Sequence, residues 1–288
     1  MDEGPAVAAT PGASTLGRTV DPLMRTALYL GTVLVFLAGI QLSVLTTTTD
    51  RFFAWTIAAA NSAAFLGAFY WTSVPLAFTS ARAPTWDRAR VGVPGVLVFL
   101  WLTLATTAIH ADKFHFHSPM FLAKSAAWVW LLIYAIDPVL LSVALLRQVR
   151  APGVDPPRVA PAGRRYLMAI GVGAAVVLAV AIGLFVTPDW AARWWPWPLT
   201  PLTARAIASW LAGLGVVMAT AVFERDWIRI RGANVAFTLL GVLELIGLAR
   251  FRHEVDWRNL ASWALVGFFA GAVLIGAYGV IRSRPNRT

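Results

Sequence analysis

Ten residues, Trp55-Thr-Ile-Ala-Ala-Ala-Asn-Ser-Ala-Ala64, have a counterpart 142 positions later in Trp197-Pro-Leu-Thr-Pro-Leu-Thr-Ala-Arg-Ala206. A second pair of strings has nearly the same separation, because Asp112-Lys-Phe-His115 corresponds to His253-Glu-Val-Asp256, 141 positions later. Each string occupies the same place in a series of four long apolar segments. The spacing predicts a fold of two tandem four-helix repeats, related by a pseudo-twofold axis along the membrane normal.

The composition places the chain in the membrane class. Of its 288 residues, 58% are hydrophobic and only 13% are charged, which is too apolar for a water-soluble surface. A bilayer core of roughly 30 Å needs about 20 apolar residues in a helix. We therefore predict an all-α integral membrane protein with eight transmembrane helices and no soluble domain. The eight apolar stretches are 24–46, 52–78, 91–110, 121–146, 165–186, 201–223, 232–249 and 258–281.

The basic residues predict the orientation of these helices. The net charge is +10, and sixteen of the 24 basic residues fall on the side of the amino terminus. Because cytoplasmic loops are enriched in Lys and Arg, we expect a multi-pass protein of the inner (plasma) membrane with both termini cytoplasmic. This topology accounts for the charge without a nucleic-acid partner. The sixteen residues are Arg18, Arg25, Arg82, Arg88, Arg90, Arg147, Arg150, Arg158, Arg164, Arg165, Arg225, Arg229, Arg231, Arg282, Arg284 and Arg287.

The predicted organisation has five parts: a disordered cytoplasmic tail (1–23), a first repeat (24–149), a proline-rich cytoplasmic linker (150–165), a second repeat (166–282) and a short cytoplasmic tail (283–288). The chain has no cysteine. This excludes disulfides, thiolate metal sites, iron–sulfur clusters and thioether-linked haem.

Two strings carry a resemblance to known sequences. They are His110-Ala-Asp-Lys-Phe-His-Phe-His-Ser-Pro119 and Trp195-Pro-Trp-Pro-Leu-Thr-Pro-Leu-Thr-Ala-Arg205. The chain resembles an uncharacterised family of multi-pass bacterial membrane proteins over nearly its whole length. The resemblance implies the fold class and no particular activity. The chain departs from the expected Pro-Leu-Thr turn at 59–61, where it has Ala-Ala-Asn, so we expect a looser start to the second helix.

The histidines form the first candidate site. In the repeat alignment Asp112 matches His253 and His115 matches Asp256, so a twofold bundle could bring the two Asp/His pairs together. Such a set suits a divalent metal such as zinc, the binding of a substrate or ion, proton handling, or a latch that responds to pH. The structural alternative is that each Asp simply pairs with a His of the other half. All four histidines lie in these two outer loops: His110, His115, His117 and His253.

Two carboxyl groups lie inside apolar segments. Glu244 is in the seventh segment, and Asp137 precedes Pro138 in the fourth. Ionisable residues in the apolar layer are costly and often bind substrates or ions or relay protons. Both residues are therefore candidates for ligand or ion binding. The alternatives are a neutral or paired Glu244, with Arg250 or another helix supplying the partner, and an Asp137 reached by a cytoplasmic arginine.

Two further patterns indicate packing. Tryptophans cluster at Trp190, Trp194, Trp195 and Trp197, as expected for a membrane-interface anchor. The string Gly267-Phe-Phe-Ala-Gly271 matches the small-xxx-small pattern of helix contacts.

Three functions remain open from the sequence. The first is binding or transport of a small solute, ion or lipid between the two halves, near Glu244. The second is an accessory subunit with a membrane-protein partner, and the third is a metal-dependent membrane enzyme. No phosphate-binding loop, H-E-x-x-H or G-x-S-x-G motif is present. A polar cavity that reaches Glu244 or Asp137 would favour the first, a filled bundle the second, and at least three metal ligands the third.

Overall fold

A computed structural model describes residues 17–284. They form eight long helices joined by loops, short helical turns and isolated β-bridges, and no β-strand forms among them. The helices are α1 (Pro22–Val44), α2 (Ala60–Arg82), α3 (Val93–Ile109), α4 (Phe121–Arg150), α5 (Arg164–Val186), α6 (Pro201–Glu224), α7 (Arg231–Arg250) and α8 (Leu260–Arg282).

Six of these helices, α1 and α4 to α8, are long and apolar enough to cross a membrane. The all-helical fold with six candidate spans agrees with the predicted multi-pass membrane class. The other two long helices, α2 and α3, do not meet this criterion, each for its own reason. α3 has only 17 residues, whereas α2 has 23 but includes Asn61, Ser62 and Thr72 among its buried side chains. Since α2 faces other helices, it does not need a uniformly apolar surface.

α2 and α6 form the centre of the bundle. α1 packs along α2 and α5 along α6, while α7 packs against α2 and α3 against α6; α4 and α8 lie beside α3 and α7. Phe99 of α3 stacks on Trp210 of α6 with ring centroids 3.7 Å apart. Tyr70 of α2 meets the same indole edge-on at 4.7 Å. Aromatic side chains therefore fill the space between the two halves.

The chain is held in place before the first helix begins. The carboxylate of Asp21 caps α1 by accepting a hydrogen bond from the Leu23 amide at 2.8 Å. The Trp86 amide donates to the Arg18 carbonyl at 2.8 Å. The predicted disordered tail is therefore wrong for residues 17–23, which have tertiary hydrogen bonds that composition does not reveal. Residues 1–16 and 285–288 of the two predicted tails lie outside the described residues.

The linker is extended and runs along the loop between α6 and α7. No helix forms over 151–163. The Trp227 amide donates to the Ala160 carbonyl at 2.8 Å, and the Asp226 carboxylate accepts hydrogen bonds from the amides of Ala160 and its neighbour. We call this end of the bundle the linker end. The opposite end, where the loop between α3 and α4 lies, is the histidine end.

Glycines allow the closest helix contacts. A Cβ atom added to Gly95 of α3 would collide with the carbonyl of Gly213 on α6, and one added to Gly241 of α7 would collide with the backbone of α8. By contrast, a Cβ atom on Gly267 or Gly271 would meet nothing within 4 Å. The predicted packing role of those two glycines is therefore wrong within the described chain, because they lie on a face of α8 that no other helix covers.

This contrast gives a matched pair of substitutions. We expect Gly95→Ala to lower the thermal unfolding temperature in detergent, because overpacking a helix contact costs about 1–3 kcal/mol. Gly267→Ala should leave that temperature unchanged or raise it, since alanine is the better helix former. Circular dichroism melts of both variants would measure the difference. Equal melting temperatures would contradict the proposed α3–α6 contact.

Candidate functional site

His115 holds the loop that precedes α2. Its Nδ1 lies 2.9 Å from the Phe53 carbonyl, and its Nε2 lies 3.0 Å from the Thr56 hydroxyl. The His115 amide also donates to the Ala54 carbonyl at 2.9 Å. Both ring nitrogens are therefore occupied by a partner from the same half, and the imidazole serves to fix the loop.

His110 lies at the end of α3 and meets an arginine from the other half. Arg205 of α6 donates from Nη1 to His110 Nε2 at 2.8 Å and from Nε to the Phe185 carbonyl at 3.0 Å. Because a guanidinium can only donate, His110 Nε2 must be unprotonated. Partial burial, and then the nearby positive charge of Arg205, lower the pKa of His110.

The predicted Asp/His pairs do not form. Asp112 is paired instead with its exposed neighbour Lys113 at 2.9 Å. Asp256 accepts a hydrogen bond from the Arg258 amide at 3.0 Å, and the His253 side chain has no hydrogen-bond partner among residues 17–284. The convergent pairing is therefore wrong, because the backbone amides of His115 and Asp256 are each bonded to the aromatic segment of their own half.

The predicted metal ligands are not assembled either. Within residues 17–284, no group of three or more His, Asp or Glu is placed to hold a metal ion. His110 and His115 already have the partners described above. The prediction of a metal site formed by His110, His115, His117 and His253 is therefore wrong for any site with three such ligands.

Glu254 is an inter-half contact that sequence reasoning missed. Its carboxylate accepts hydrogen bonds from the amides of Ala60 at 3.2 Å and Asn61 at 2.8 Å, at the start of α2. It therefore caps a helix of the first half from a loop of the second. The predicted loose start of α2 is wrong for this reason. The missing Pro-Leu-Thr turn was the only sequence signal that a cap from elsewhere was needed.

Glu244 is enclosed by α7, α2 and α8. It is 2% exposed, and its Oε1 has no hydrogen-bond partner in the described part of the chain. Arg250 donates instead to the Ser43 carbonyl at 3.0 Å, so the alternative of a Glu244–Arg250 pair is wrong. Glu244 also lines none of the cavities described below.

A groove of about 600 Å³ lies between α1 and α4. Its floor is formed by α2, α3 and the indole of Trp210 from α6. Its rim carries apolar side chains that are more than half exposed, such as Leu30 and Leu37 on α1 and Leu122 and Val129 on α4. We call this cavity the lateral groove, because its rim is apolar and faces outward from the bundle.

The lateral groove contains one ionisable carboxyl group. Asp137 of α4 lines it, is partly exposed there, and makes no hydrogen bond or ion pair with any residue in 17–284. The hydroxyl groups of Tyr70 and Tyr134 lie in the same groove, 2.7 Å apart. Arg147 pairs with Asp21 at 3.3 Å, so the alternative in which this arginine reaches Asp137 is wrong.

Two of the described cavities lie between the halves. One, between α2, α3, α6 and α7, has a volume of about 50 Å³ and is lined by Phe99 and Trp210. The other, of about 500 Å³, lies at the linker end, where Arg90, Arg158 and Arg229 line it. The predicted site between the halves near Glu244 is therefore wrong in position. The lateral groove lies mainly within the first half and reaches Asp137 instead.

A buried charge network joins the halves at the linker end. Arg90 donates from Nε to Glu224 at 2.6 Å, Arg229 donates to the same carboxylate at 3.0 Å, and Arg229 also pairs with Asp87 at 3.1 Å. Arg90 pairs in addition with Asp155 of the linker. Burial lowers the pKa of Arg90, but these two carboxylates outweigh it and raise that pKa overall. Sequence reasoning assigned these arginines to topology alone and missed the network.

The tryptophan cluster divides into two pairs. Trp190 and Trp194 are exposed, as an interface anchor requires. Trp197 is buried and donates from Nε1 to the Ser62 hydroxyl at 2.8 Å, while Trp195 packs against Trp197 with centroids 5.4 Å apart. The anchoring prediction is therefore wrong for Trp197, which instead joins the second half to α2.

Comparisons with known proteins add no assignment. A scan against protein-family models, a search of curated proteins and a search of solved structures each return no match.

The contact between His110 and Arg205 predicts a pH dependence. Because the pKa of His110 is lowered in the folded protein, its contribution to stability is complete above the unfolded value of about 6.5 and is lost as the pH falls through the lowered pKa. His110→Gln keeps a hydrogen-bond acceptor for Arg205 and should reduce this loss. Thermal melts between neutral and mildly acidic pH would measure it.

The control for this test is His117→Gln, because His117 is exposed and has no side-chain hydrogen bond with residues 17–284. It should retain the full pH dependence of the unmodified protein. If His110→Gln and His117→Gln lost stability equally on acidification, the assigned role of His110 would be incorrect.

Proposed function

We propose that the protein binds a lipid-soluble molecule in the lateral groove. The observation that carries the proposal is a groove of about 600 Å³ with an outward-facing apolar rim on α1 and α4. Its volume falls within the range typical of small-molecule sites. Because α1 and α4 are both candidate membrane spans, the molecules next to this rim are lipids and compounds dissolved among them.

Hydrogen bonds close the groove at the linker end. The Asp21 amide donates to Gln148 Oε1 at 2.6 Å, and Gln148 Nε2 donates to the Thr19 carbonyl at 3.0 Å. These bonds tie the start of α1 to the end of α4. We infer that this contact hinders entry from water at the linker end.

The histidine end is closed by a short helix, Thr49–Phe52, that packs against α4. Gln41 of α1 donates to the Phe52 carbonyl at 3.1 Å and holds this helix in place. With both ends closed, a ligand would enter sideways from the bilayer. Of the ligands that the sequence left open, this favours a lipid over a water-soluble solute or ion.

We also propose that the chain is a tandem duplication, as the sequence spacing predicts. At the linker end, Trp86 donates from its amide to the Arg18 carbonyl and Trp227 to the Ala160 carbonyl, each at 2.8 Å. The two tryptophans are 141 positions apart and their acceptors 142. Equivalent residues thus make equivalent bonds in the two halves.

The histidine end gives independent support for the duplication. The His115 amide donates to the Ala54 carbonyl at 2.9 Å, and the Asp256 amide donates to the Pro196 carbonyl at 2.8 Å. Donors and acceptors are again 141 and 142 positions apart. The exchanged Asp and His residues therefore occupy equivalent backbone positions, although their side chains have different partners.

We further propose that all eight helices span the plasma membrane, with the linker end in the cytoplasm. The 17 residues of α3 rise about 26 Å, which is close to the hydrocarbon thickness of about 30 Å. The linker end carries most of the arginines, in agreement with the positive-inside rule.

Single cysteines in this cysteine-free chain test the orientation. His117→Cys should react with an impermeant thiol reagent added to intact cells, whereas Val159→Cys should react only after the cells are lysed. Both positions are exposed at opposite ends of the bundle, so each serves as the control for the other. The reverse labelling pattern would contradict the proposed topology.

Filling the groove tests the binding function. Ala126 lines the groove, so Ala126→Phe should occupy part of it and weaken ligand binding by about tenfold or more, since overpacking costs about 1–3 kcal/mol. The probe is 9,10-dibromo-octadecanol, whose bromines quench the fluorescence of Trp130 and Trp210 in the groove. The saturable part of the quenching gives the affinity in detergent.

The matched control is Ala264→Phe, because Ala264 is exposed on α8 and outside the groove. It should bind the probe as the unmodified protein does. The absence of saturable quenching in the unmodified protein, or equal affinities of the two variants, would overturn the proposed function. A filled groove with a tightly co-purifying membrane protein would favour the accessory-subunit hypothesis instead.

A further inference from the structure

We propose that the ligand of the lateral groove is a lipid-soluble amine, whose ammonium group is bound by Asp137. The inference depends on the proposed binding function and adds the chemical class of the ligand. It rests on the charge of the groove lining and on the aromatic rings that line the groove together with Asp137.

The lining of the groove has a carboxyl group and no basic side chain. Asp137 is its only acidic residue, and no Lys, Arg or His is among the described residues that line it. The nearest arginine along α4 in the direction of the linker end, Arg147, is paired with Asp21. An ionised carboxylate in the apolar layer is costly without a partner. A bound cation would supply the counter-charge that the protein itself does not provide.

Aromatic rings line the same groove as Asp137. Tyr134 precedes Asp137 by about one helical turn, and its ring packs on Trp130 with centroids 4.3 Å apart. On the floor, Tyr70 and Phe99 both contact Trp210, with centroids 4.7 and 3.7 Å apart. All five rings line the groove. Aromatic faces attract cations and recur in sites that recognise ammonium groups.

The tyrosine pair offers an additional polar contact. The hydroxyl oxygens of Tyr70 and Tyr134 are 2.7 Å apart, so one hydroxyl donates to the other. Both hydroxyl oxygens keep lone pairs that can accept hydrogen bonds from the ammonium group of the ligand. The other polar side chains of the lining are those of Gln41, Ser73 and Ser125, and its remaining residues are mostly apolar, which suits a ligand with a small polar group and an apolar tail.

The position of Asp137 along α4 fixes the orientation of the ligand. The α4 residues of the groove extend from Leu122 to Leu141, and Asp137 lies near the end closer to the linker. The helix rises about 22 Å between Leu122 and Asp137. An extended apolar tail could therefore follow the groove towards the histidine end, with the ammonium group held by Asp137.

The test uses the full chain in detergent and two probes that differ only in the polar group, 9,10-dibromo-octadecylamine and 9,10-dibromo-octadecanol. Saturable quenching of tryptophan fluorescence measures both affinities at neutral pH. We expect the unmodified protein to bind the amine about tenfold to a hundredfold more tightly, as for a hydrogen bond to a charged group. In Asp137→Asn, the amine should bind no better than the alcohol, while the affinity for the alcohol stays the same.

Asp112→Asn is the matched control, because Asp112 is an exposed carboxylate outside the groove. It should keep the preference for the amine. Asp137→Glu keeps the charge and should also keep that preference, and it replaces Asp137→Asn as the informative variant if the latter does not fold. Loss of the preference in Asp137→Glu would then count against a charge-based site.

The outcomes separate this inference from the proposed function. Equal affinities for amine and alcohol in the unmodified protein would overturn the amine class and leave the groove as a lipid-binding site. A preference that persists in Asp137→Asn would also overturn the role of Asp137. If neither probe gave saturable quenching, the proposed function itself would fail.

Discussion

The stack of Phe99 on Trp210, with centroids 3.7 Å apart, is the contact on which the rest of the structure depends. It joins a helix of the first half to a helix of the second at the closest approach of α3 and α6, which Gly95 and Gly213 permit. The same rings close the space between the halves and form the floor of the lateral groove. Phe99 and Trp210 therefore limit the size of both spaces, the small cavity between the halves and the lateral groove beside them.

The two halves differ in how closely their outer helix packs. In the second half, Gly276 and Gly279 of α8 lie against Asn234 of α7, so closely that a Cβ atom on either would collide. Counting back 141 positions gives Ala135 and Pro138 in α4. Ala135 is exposed, whereas Pro138 is buried, and a proline ring cannot allow the approach that a glycine permits. We infer that Pro138 keeps α4 from packing on α3 as closely as α8 packs on α7.

The sequence predicted the helices better than it predicted the site. The apolar stretch 201–223, for example, became α6 (Pro201–Glu224), because the length of an apolar run largely determines a membrane helix. Loop side chains were not predictable in this way. Whether His115 contacts Asp256 or Phe53 depends on the rotation of its side chain and on the path of its loop. The repeat spacing encodes neither. A groove likewise depends on the volumes of side chains from five helices, which no single segment contains.

The carboxyl groups separate into structural and functional candidates by their partners. Asp87 and Glu224 are buried at the linker end, and each is paired with an arginine. Glu254 has the amides at the start of α2. These pairings account for the presence of the charge, since an unpaired buried charge would destabilise the fold. Glu244 and Asp137 have no such partner among residues 17–284, and of these two Asp137 is the one that lines a cavity large enough for a ligand. The Asp137 carboxyl forms no contact that stabilises the fold, and a ligand in the groove can reach it. Ligand binding therefore explains its presence better than fold stability does.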